Sequence, residues 1–276
     1  MGNCDLRASI VPQPYPLLGL GQMAWVDVDN ASVDIPIFDS KSMSFKARVA
    51  TLCRRLGGFG EDGASYEIVH ALKNVSFRLK DGDRVGLIGR NGCGKTTLLR
   101  TIAGIYEPTA GQVRVSGETC AILDLMLGMD MDATGIENIY LRGYAVGMSR
   151  KAIGDIESEI ADFTELGAHL NYPVRTYSAG MVLRLAFSAS LMTPHDIMLL
   201  DEVIGVGDAN FMQKARARLD DVLARSRIVV VASHSVDLLE SMCNKGIYLR
   251  DGCLVECASI GETVSAYRRD IAVGAA

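Results

Sequence analysis

The sequence predicts an α/β fold: parallel strands wound with crossover helices, a smaller antiparallel β-region, and a helical insertion. Three observations predict it. Short, largely apolar runs occur at Arg84–Ile88, Asp196–Leu200 and Arg227–Ala232, each followed by a helical stretch, as expected of strands buried on both faces. A glycine-rich segment lies between the first run and its helix. Finally, Gly135 to Leu191 is rich in helical spacing and poor in strand signal, so it interrupts the strand-helix alternation as a block.

The elements follow in order. Trp25–Phe38 and Ala71–Leu79 alternate like strands, the second followed by the turn Lys80-Asp-Gly-Asp83. Lys95–Ala103 reads as a helix closed by Gly104. Gln112–Val115 and Thr119–Leu125 read as further strands, Gly246–Glu256 as a hairpin around Arg250-Asp-Gly252, and Val264–Arg269 as a closing helix. Residues 1–22 form an N-terminal extension expected to be poorly ordered, 23–268 the folded domain with a helical subdomain at about 130–192, and 269–276 a tail.

Composition excludes several classes. A chain of 276 residues buries a sizeable core without disulfides or metals. With 49% apolar and 22% charged residues it is globular rather than disordered. The formal net charge of −5 gives no global attraction to nucleic acid, so a bound phosphate needs a local site. No apolar run approaches the ~20 residues that cross a bilayer. Ile10–Gly21 carries three prolines and follows a single basic residue, a poor signal peptide. The opening Met-Gly-Asn-Cys has Leu6 where an acylation signal wants Ser or Thr. The seven cysteines are scattered, without paired CxxC spacing, and fit free thiols in a reducing cytosol.

Gly89-Arg-Asn-Gly-Cys-Gly-Lys-Thr-Thr97 fits G-x-x-x-x-G-K-[ST] and lies after a predicted strand and before a helix. Backbone N–H groups of Gly89, Arg90, Asn91, Gly92, Cys93 and Gly94 are expected to surround phosphate oxygens, helped by the helix N-terminus. Lys95 reaches the β/γ-phosphates and Thr96 is a Mg²⁺ ligand, with Thr97 beside it. The motif therefore predicts a nucleoside-triphosphate site of the P-loop class. Helix-terminal Cys93 is expected to have a lowered pKa and to be the most reactive thiol if exposed. Ile197-Met-Leu-Leu-Asp201-Glu202 adds a buried strand ending in two acids: Asp201 to hold the metal and Glu202 to orient and polarise the attacking water. A P-loop GTPase or small-molecule kinase is a rival, but the one N-K, in Asn244-Lys-Gly-Ile247, lacks the acid that guanine recognition uses.

Tyr177-Ser178-Ala179-Gly180-Met181, followed by Val182-Leu-Arg-Leu-Ala-Phe-Ser188, is a small-residue loop opening a helix upstream of Asp201. Here the sequence resembles the ATP-binding-cassette (ABC) superfamily over about residues 23–268. The resemblance implies a RecA-like P-loop NTPase core with an antiparallel β-subdomain and a helical signature subdomain. It further implies that Tyr66 stacks on adenine, that Asp208 is the D-loop aspartate, and that His234, in Ser-His-Ser, is the switch histidine. Family geometry sets Tyr177, Ser178, Ala179, Gly180 and Asp208 of one subunit over the nucleotide of another, so the active unit is a head-to-tail homodimer sandwiching two ATP. Two departures narrow the subfamily: Ala179 and Met181 replace the commoner Gly and Gln, and Asp124–Asp130 lacks the Q-loop glutamine.

Tyr177–Met181, Asp201–Phe211 and Gly135–Gly143 are similar to segments of the ATP-binding subunits of bacterial exporters of O-antigen, capsule and teichoic acid. That implies an ATPase powering polysaccharide or lipid-linked glycan export through a separate integral membrane permease. Such a subunit is peripheral, on the cytoplasmic face of the plasma membrane, and no nucleic-acid partner is expected. The alternative is a soluble ABC ATPase acting on nucleic acid or ribosomes, which tandem cassettes or long heptad arms would favour; neither is present. Within Lys41–Leu56, Met43, Val49, Leu52, Cys53 and Leu56 share one helical face, and Lys41, Lys46, Arg48, Arg54 and Arg55 carry five positive charges and no negative one. This segment suits an anionic membrane surface or the rim of a membrane partner, or equally an ordinary packed helix with a solvated basic face.

Overall fold

The computed structural model describes residues 23–37, 67–192, 195–201 and 209–274. The expected extension 1–22 and basic segment 41–56 lie outside the described residues. In chain order the elements are β1 (Trp25–Ile37), β2 (Glu67–Lys80), β3 (Arg84–Ile88), α1 (Lys95–Ile102), β4 (Ala110–Ser116), β5 (Thr119–Ile122), α2 (Gly135–Ala145), α3 (Arg150–Thr164), α4 (Ala179–Ser190), β6 (Ile197–Asp201), α5 (Ala209–Arg225), β7 (Ile228–Ala232), α6 (Val236–Met242), β8 (Lys245–Arg250), β9 (Cys253–Ser259) and α7 (Ile260–Gly274). Contacts divide the chain into two compact units: Met126–Met192 forms most of one, and Met23–Leu125 with Met212–Ala276 most of the other.

The larger unit contains two sheets. The antiparallel one has the order β2-β1-β4. Its period-two alternation buries Val26, Val28, Phe77 and Leu79 on one face. On the other face Asp27 lies opposite Arg78 and Arg114, with their guanidinium nitrogens 2.9 and 3.7 Å away. The Arg78 hydrogen bond holds the Asp27 carboxyl below its usual range. The register of β1 against β2 slips after Val28, where Asn30 turns left-handed at φ 49°, a conformation that Asn adopts at little cost.

The second sheet has the order β5-β6-β7-β3-β8-β9, parallel throughout except for β9, which returns antiparallel to β8. Every residue of β7 and every residue of β6 before Asp201 is buried, the pattern of strands covered on both faces. Val85, Leu87, Leu98, Leu99, Leu199, Val230 and Ile247 share one core with Val26 and Leu79 of the antiparallel sheet. The closing helix is longer than its apolar spacing indicates. Glu262 accepts from the backbone N–H (3.2 Å) and hydroxyl (2.6 Å) of Ser259 at its start. Near its end Asp270 accepts from Tyr248 (2.8 Å) and Arg250 (2.6 Å).

The smaller unit is helical. Ile139, Ile153, Ile160, Leu170, Val174, Val182 and Leu185 form its core. A capping box starts α2: the Thr134 hydroxyl accepts from Glu137 N–H and the Glu137 carboxylate accepts from Thr134 N–H. The Ser149 hydroxyl caps α3, and two 3₁₀ turns, Gly167–Asn171 and Val174–Thr176, lead to α4. The parallel core, antiparallel region and helical insertion expected from sequence are all present.

Candidate functional site

The glycine loop carries the chain from β3 into α1, and two of its residues fit only as glycine. Gly94, the N-cap of α1, has φ +106°, and a Cβ there would stand 2.6 Å from the Ala71 carbonyl oxygen. Gly89 is held equally closely by the Leu249 carbonyl and the Cys93 sulfur. No side chain caps α1 and its first turn contains no acid. Its leading N–H groups and partial positive charge are therefore left for an external anion. The Lys95 ammonium donates to the carbonyls of Gly89 (2.7 Å) and Arg90 (3.2 Å), which folds the loop around its own cation.

β6 delivers Asp201 to the same place. The Thr96 hydroxyl donates to Asp201 Oδ2 at 2.5 Å, across 105 residues of sequence. Thr hydroxyl and Asp carboxylate are hard oxygen donors of the kind Mg²⁺ selects, and their direct contact shows that one small cation placed between them would meet both. The residues present fit that ion.

Asn91, Gly92, Gly94, Lys95, Thr96, Thr97, Asp201 and His234 line one cavity of about 730 Å³ within the larger unit, a volume suited to a nucleotide-sized ligand. The structure thus brings together residues that the sequence places 143 positions apart. Cys93 departs from expectation. It is 4% exposed, with its sulfur against Gly89 in the core, and burial pushes its thiol up against the opposing influence of the Lys95 ammonium. The helix N-terminus does not make it a reactive thiol, because its side chain points away from the loop mouth. Its backbone is engaged within the protein: Cys93 N–H donates to the Arg90 carbonyl (3.2 Å) and Cys93 O accepts from Gly252 N–H (3.2 Å).

Sequence reasoning missed further residues of the cavity lining, among them His70, Lys73, Asp251 and Gly252. His70 Nδ1 lies 2.6 Å from Asp34 Oδ1 across the β1-β2 pair. Arg250-Asp-Gly252 reads as a plain hairpin turn. The structure docks it between strand and loop through Lys73 N–H to Gly252 O (2.8 Å) and Gly252 N–H to Cys93 O. The Asp-Gly pair, which takes φ 50° and φ 81°, signals such a turn in the sequence but not its location. Tyr66, Glu202 and Asp208 lie outside the described residues.

In the smaller unit Ser178 is the N-cap of α4, and its hydroxyl oxygen accepts from Met181 N–H (3.3 Å). The hydroxyl proton and the N–H groups of Ala179 and Gly180 in the first turn remain for a ligand. The Tyr177 hydroxyl instead donates to the His169 carbonyl of its own unit (2.6 Å).

A phosphate loop ending in Lys95-Thr96, a strand-end Asp201 and a helical insertion define a P-loop nucleotide-binding cassette. Residues 72–205 match the ABC transporter family. The O-antigen export system ATP-binding protein RfbE of Yersinia enterocolitica is 42% identical over 234 residues, 82% of this chain and 95% of that protein. The O-antigen export system ATP-binding protein RfbB of Klebsiella pneumoniae is 36% identical over 73% of this chain and 82% of its own length. The teichoic acids export ATP-binding protein TagH of Bacillus cereus is 35% identical over 75% of this chain, but the match spans only 37% of that longer protein. An ATP-binding subunit of an ABC transporter superposes with TM-score 0.64 at 18% identity, covering 88% of this chain and 92% of that one. A dimeric ATP-binding cassette bound to ADP and Pi superposes with TM-score 0.61 at 21% identity, covering 85% and 98%. The chain belongs to the ABC transporter family, among the ATP-binding proteins of export systems.

Proposed function

We propose that the chain is the ATP-hydrolysing subunit of a bacterial polysaccharide exporter. The observation that carries the chemistry is the convergence of Lys95, Thr96 and Asp201 on one cavity beside an uncapped helix N-terminus. The backbone of Gly89–Gly94 and the Lys95 ammonium bind the β- and γ-phosphates, with Asn91 and Thr97 at the rim and Tyr66 against the adenine. Thr96 and Asp201 hold Mg²⁺, which when bound neutralises charge on the phosphates. Glu202 orients and polarises the attacking water, and His234 donates toward the γ-phosphate.

One chain holds only half of each reaction site in this reading. Ser178, Ala179, Gly180 and Asp208 of a second copy complete it in a head-to-tail homodimer, so that ATP closes the pair and hydrolysis opens it. Tyr177 supports that loop from behind, in keeping with its hydroxyl's bond to His169. The names of the relatives support a lipid-linked glycan such as O-antigen or teichoic acid as cargo and a separate integral membrane permease as partner. None of the described helices is long and apolar enough to cross a membrane; in this reading the subunit is peripheral, on the cytoplasmic face.

Affinity purification of the tagged chain from membranes, with ATPase assay of the eluate and analysis of surface glycan in a deletion strain, tests the proposal. Co-purification of an integral membrane protein, Mg²⁺-dependent ATPase activity and loss of surface polymer are expected. Recovery of ribosomes or nucleic acid with normal surface polymer overturns the export reading and favours the soluble ATPase.

A further inference from the structure

The loop before α2 and the turn before α4 are fastened to each other inside the helical unit. Asn138 is fully buried. Its amide nitrogen donates to the carbonyls of Asp130 (2.8 Å) and Thr134 (2.9 Å), and its oxygen accepts from Asp130 N–H (2.8 Å). One side chain thus closes residues 130–134 into a rigid loop. That loop then grips the chain leading to Ser178. Val174 N–H donates to Ala133 O (2.9 Å) and Arg175 N–H to Met131 O (2.8 Å), Thr134 bridges Pro173 antiparallel, and Arg175 pairs with Asp132 at 2.8 Å.

The last contact is steric. Tyr177 N–H donates to Val174 O (2.9 Å) and its hydroxyl to His169 O, which seats the ring beside Gly135 at the start of α2. A Cβ on Gly135 would stand 2.6 Å from the Tyr177 hydroxyl oxygen and 2.8 Å from Leu170 Cδ2. Gly135 is helical with no left-handed backbone, so the closeness of Tyr177 and Leu170, whose Cα would stand 3.1 Å from the Cβ, rather than its own conformation, favours glycine.

We propose that Asn138, Gly135 and Tyr177 form a latch that fixes the direction of the α4 N-terminus, acting as positioning residues for the site that Ser178 completes on the second copy. The inference rests on that role of Ser178. The latch leaves nucleotide binding to the phosphate loop untouched and acts on turnover, because it sets where the Ser178 hydroxyl and the Ala179 and Gly180 N–H groups point.

The test separates binding from turnover. Gly135→Ala should bind a non-hydrolysable ATP analogue within about twofold of wild type while kcat falls about tenfold, and Tyr177→Phe, which loses the hydroxyl bond to His169, should show the same split. Asn138→Asp keeps the acceptor, loses both donations, and should show the same split. A wild-type kcat in Gly135→Ala or in Tyr177→Phe, or equal loss of binding and turnover in both Gly135→Ala and Asn138→Asp, overturns the latch. Ser178→Arg is the control for the underlying reading. If it leaves kcat unchanged, the role of Ser178 itself fails; if it abolishes turnover while the latch variants do not, only the latch fails.

Discussion

Thr96→Val removes one hydroxyl and keeps the shape of the side chain, so it isolates the contact on which the metal assignment rests. Without metal, Thr96 donates to the Asp201 carboxylate. A hydrogen bond to a charged acceptor contributes roughly 1.5–3 kcal/mol, and with both residues only half-buried the low end, about 1.5 kcal/mol, applies. At about 2–4 °C per kcal/mol for a chain of this size, the melting temperature in EDTA should drop by about 3–6 °C. Mg-ATP adds a second, separable effect. Ligand at a hundredfold excess over Kd stabilises by about 2.7 kcal/mol, and a tenfold weaker Kd removes about 1.4 of that. Thermal melts of wild type and variant with EDTA, with ATP and EDTA, and with Mg-ATP read all three terms. The variant should lose stability in EDTA, keep its small metal-free response to ATP, and lose about half of the Mg-ATP gain. An unchanged melt in EDTA together with a full Mg-ATP shift would refute the assignment of Thr96 and Asp201 as the pair that holds the ion.

Glu202→Gln should bind ATP normally, turn over at least ~10²-fold more slowly, about 3 kcal/mol of barrier, and accumulate as an ATP-bound dimer by gel filtration; near wild-type hydrolysis would pass the water-activating role to another group. Thiol mapping with iodoacetamide should label exposed Cys253 while Cys93, Cys120 and Cys243 stay protected until the chain unfolds; fast labelling of Cys93 blocked by ATP would contradict its buried placement. Burial pushes the Cys243 thiol up to about 12, and burial with the hydrogen bond to Asp270 raises the Tyr248 hydroxyl to about 12. Between pH 9 and 12 the unfolded chain has lost the Cys243 proton that the folded chain keeps, so folding stability is intact below about pH 9 and falls by up to ~1.4 kcal/mol per pH unit above it. Denaturant titrations should show that slope, with Tyr248 adding a second contribution above about pH 10, and Cys243→Ala should flatten it between about pH 9 and 10.

Much of the site was legible in the chain. Gly89–Thr97 is a contiguous motif whose mechanism is local: glycines permit the turn, and a helix that starts without a cap leaves its N–H groups to a ligand, so position and chemistry can both be read there. Asp201 was legible because a fully apolar strand ending in an acid carries a carboxylate through the core to the end of the parallel sheet, where the phosphate loop also emerges. The basic face of 41–56 could be read as a pattern, though it lies outside the described residues. Cys93 was misjudged because spacing reports which residue opens a helix but not which way its side chain turns; the direction is set by Gly89 and the core packed behind it. Asp251, Gly252 and His70 could not be found at all, since a hairpin turn and a strand become walls of a cavity only when the pairing of β3 with β8 and the bond from Lys73 of β2 to Gly252 bring them beside the phosphate loop. The same holds for the latch. A Gly, an Asn and a Tyr in α2 and before α4 are ordinary residues in sequence, and only the packed helical unit, by bringing Gly135 against the Tyr177 hydroxyl and Leu170, decides that a larger side chain there must displace its neighbours.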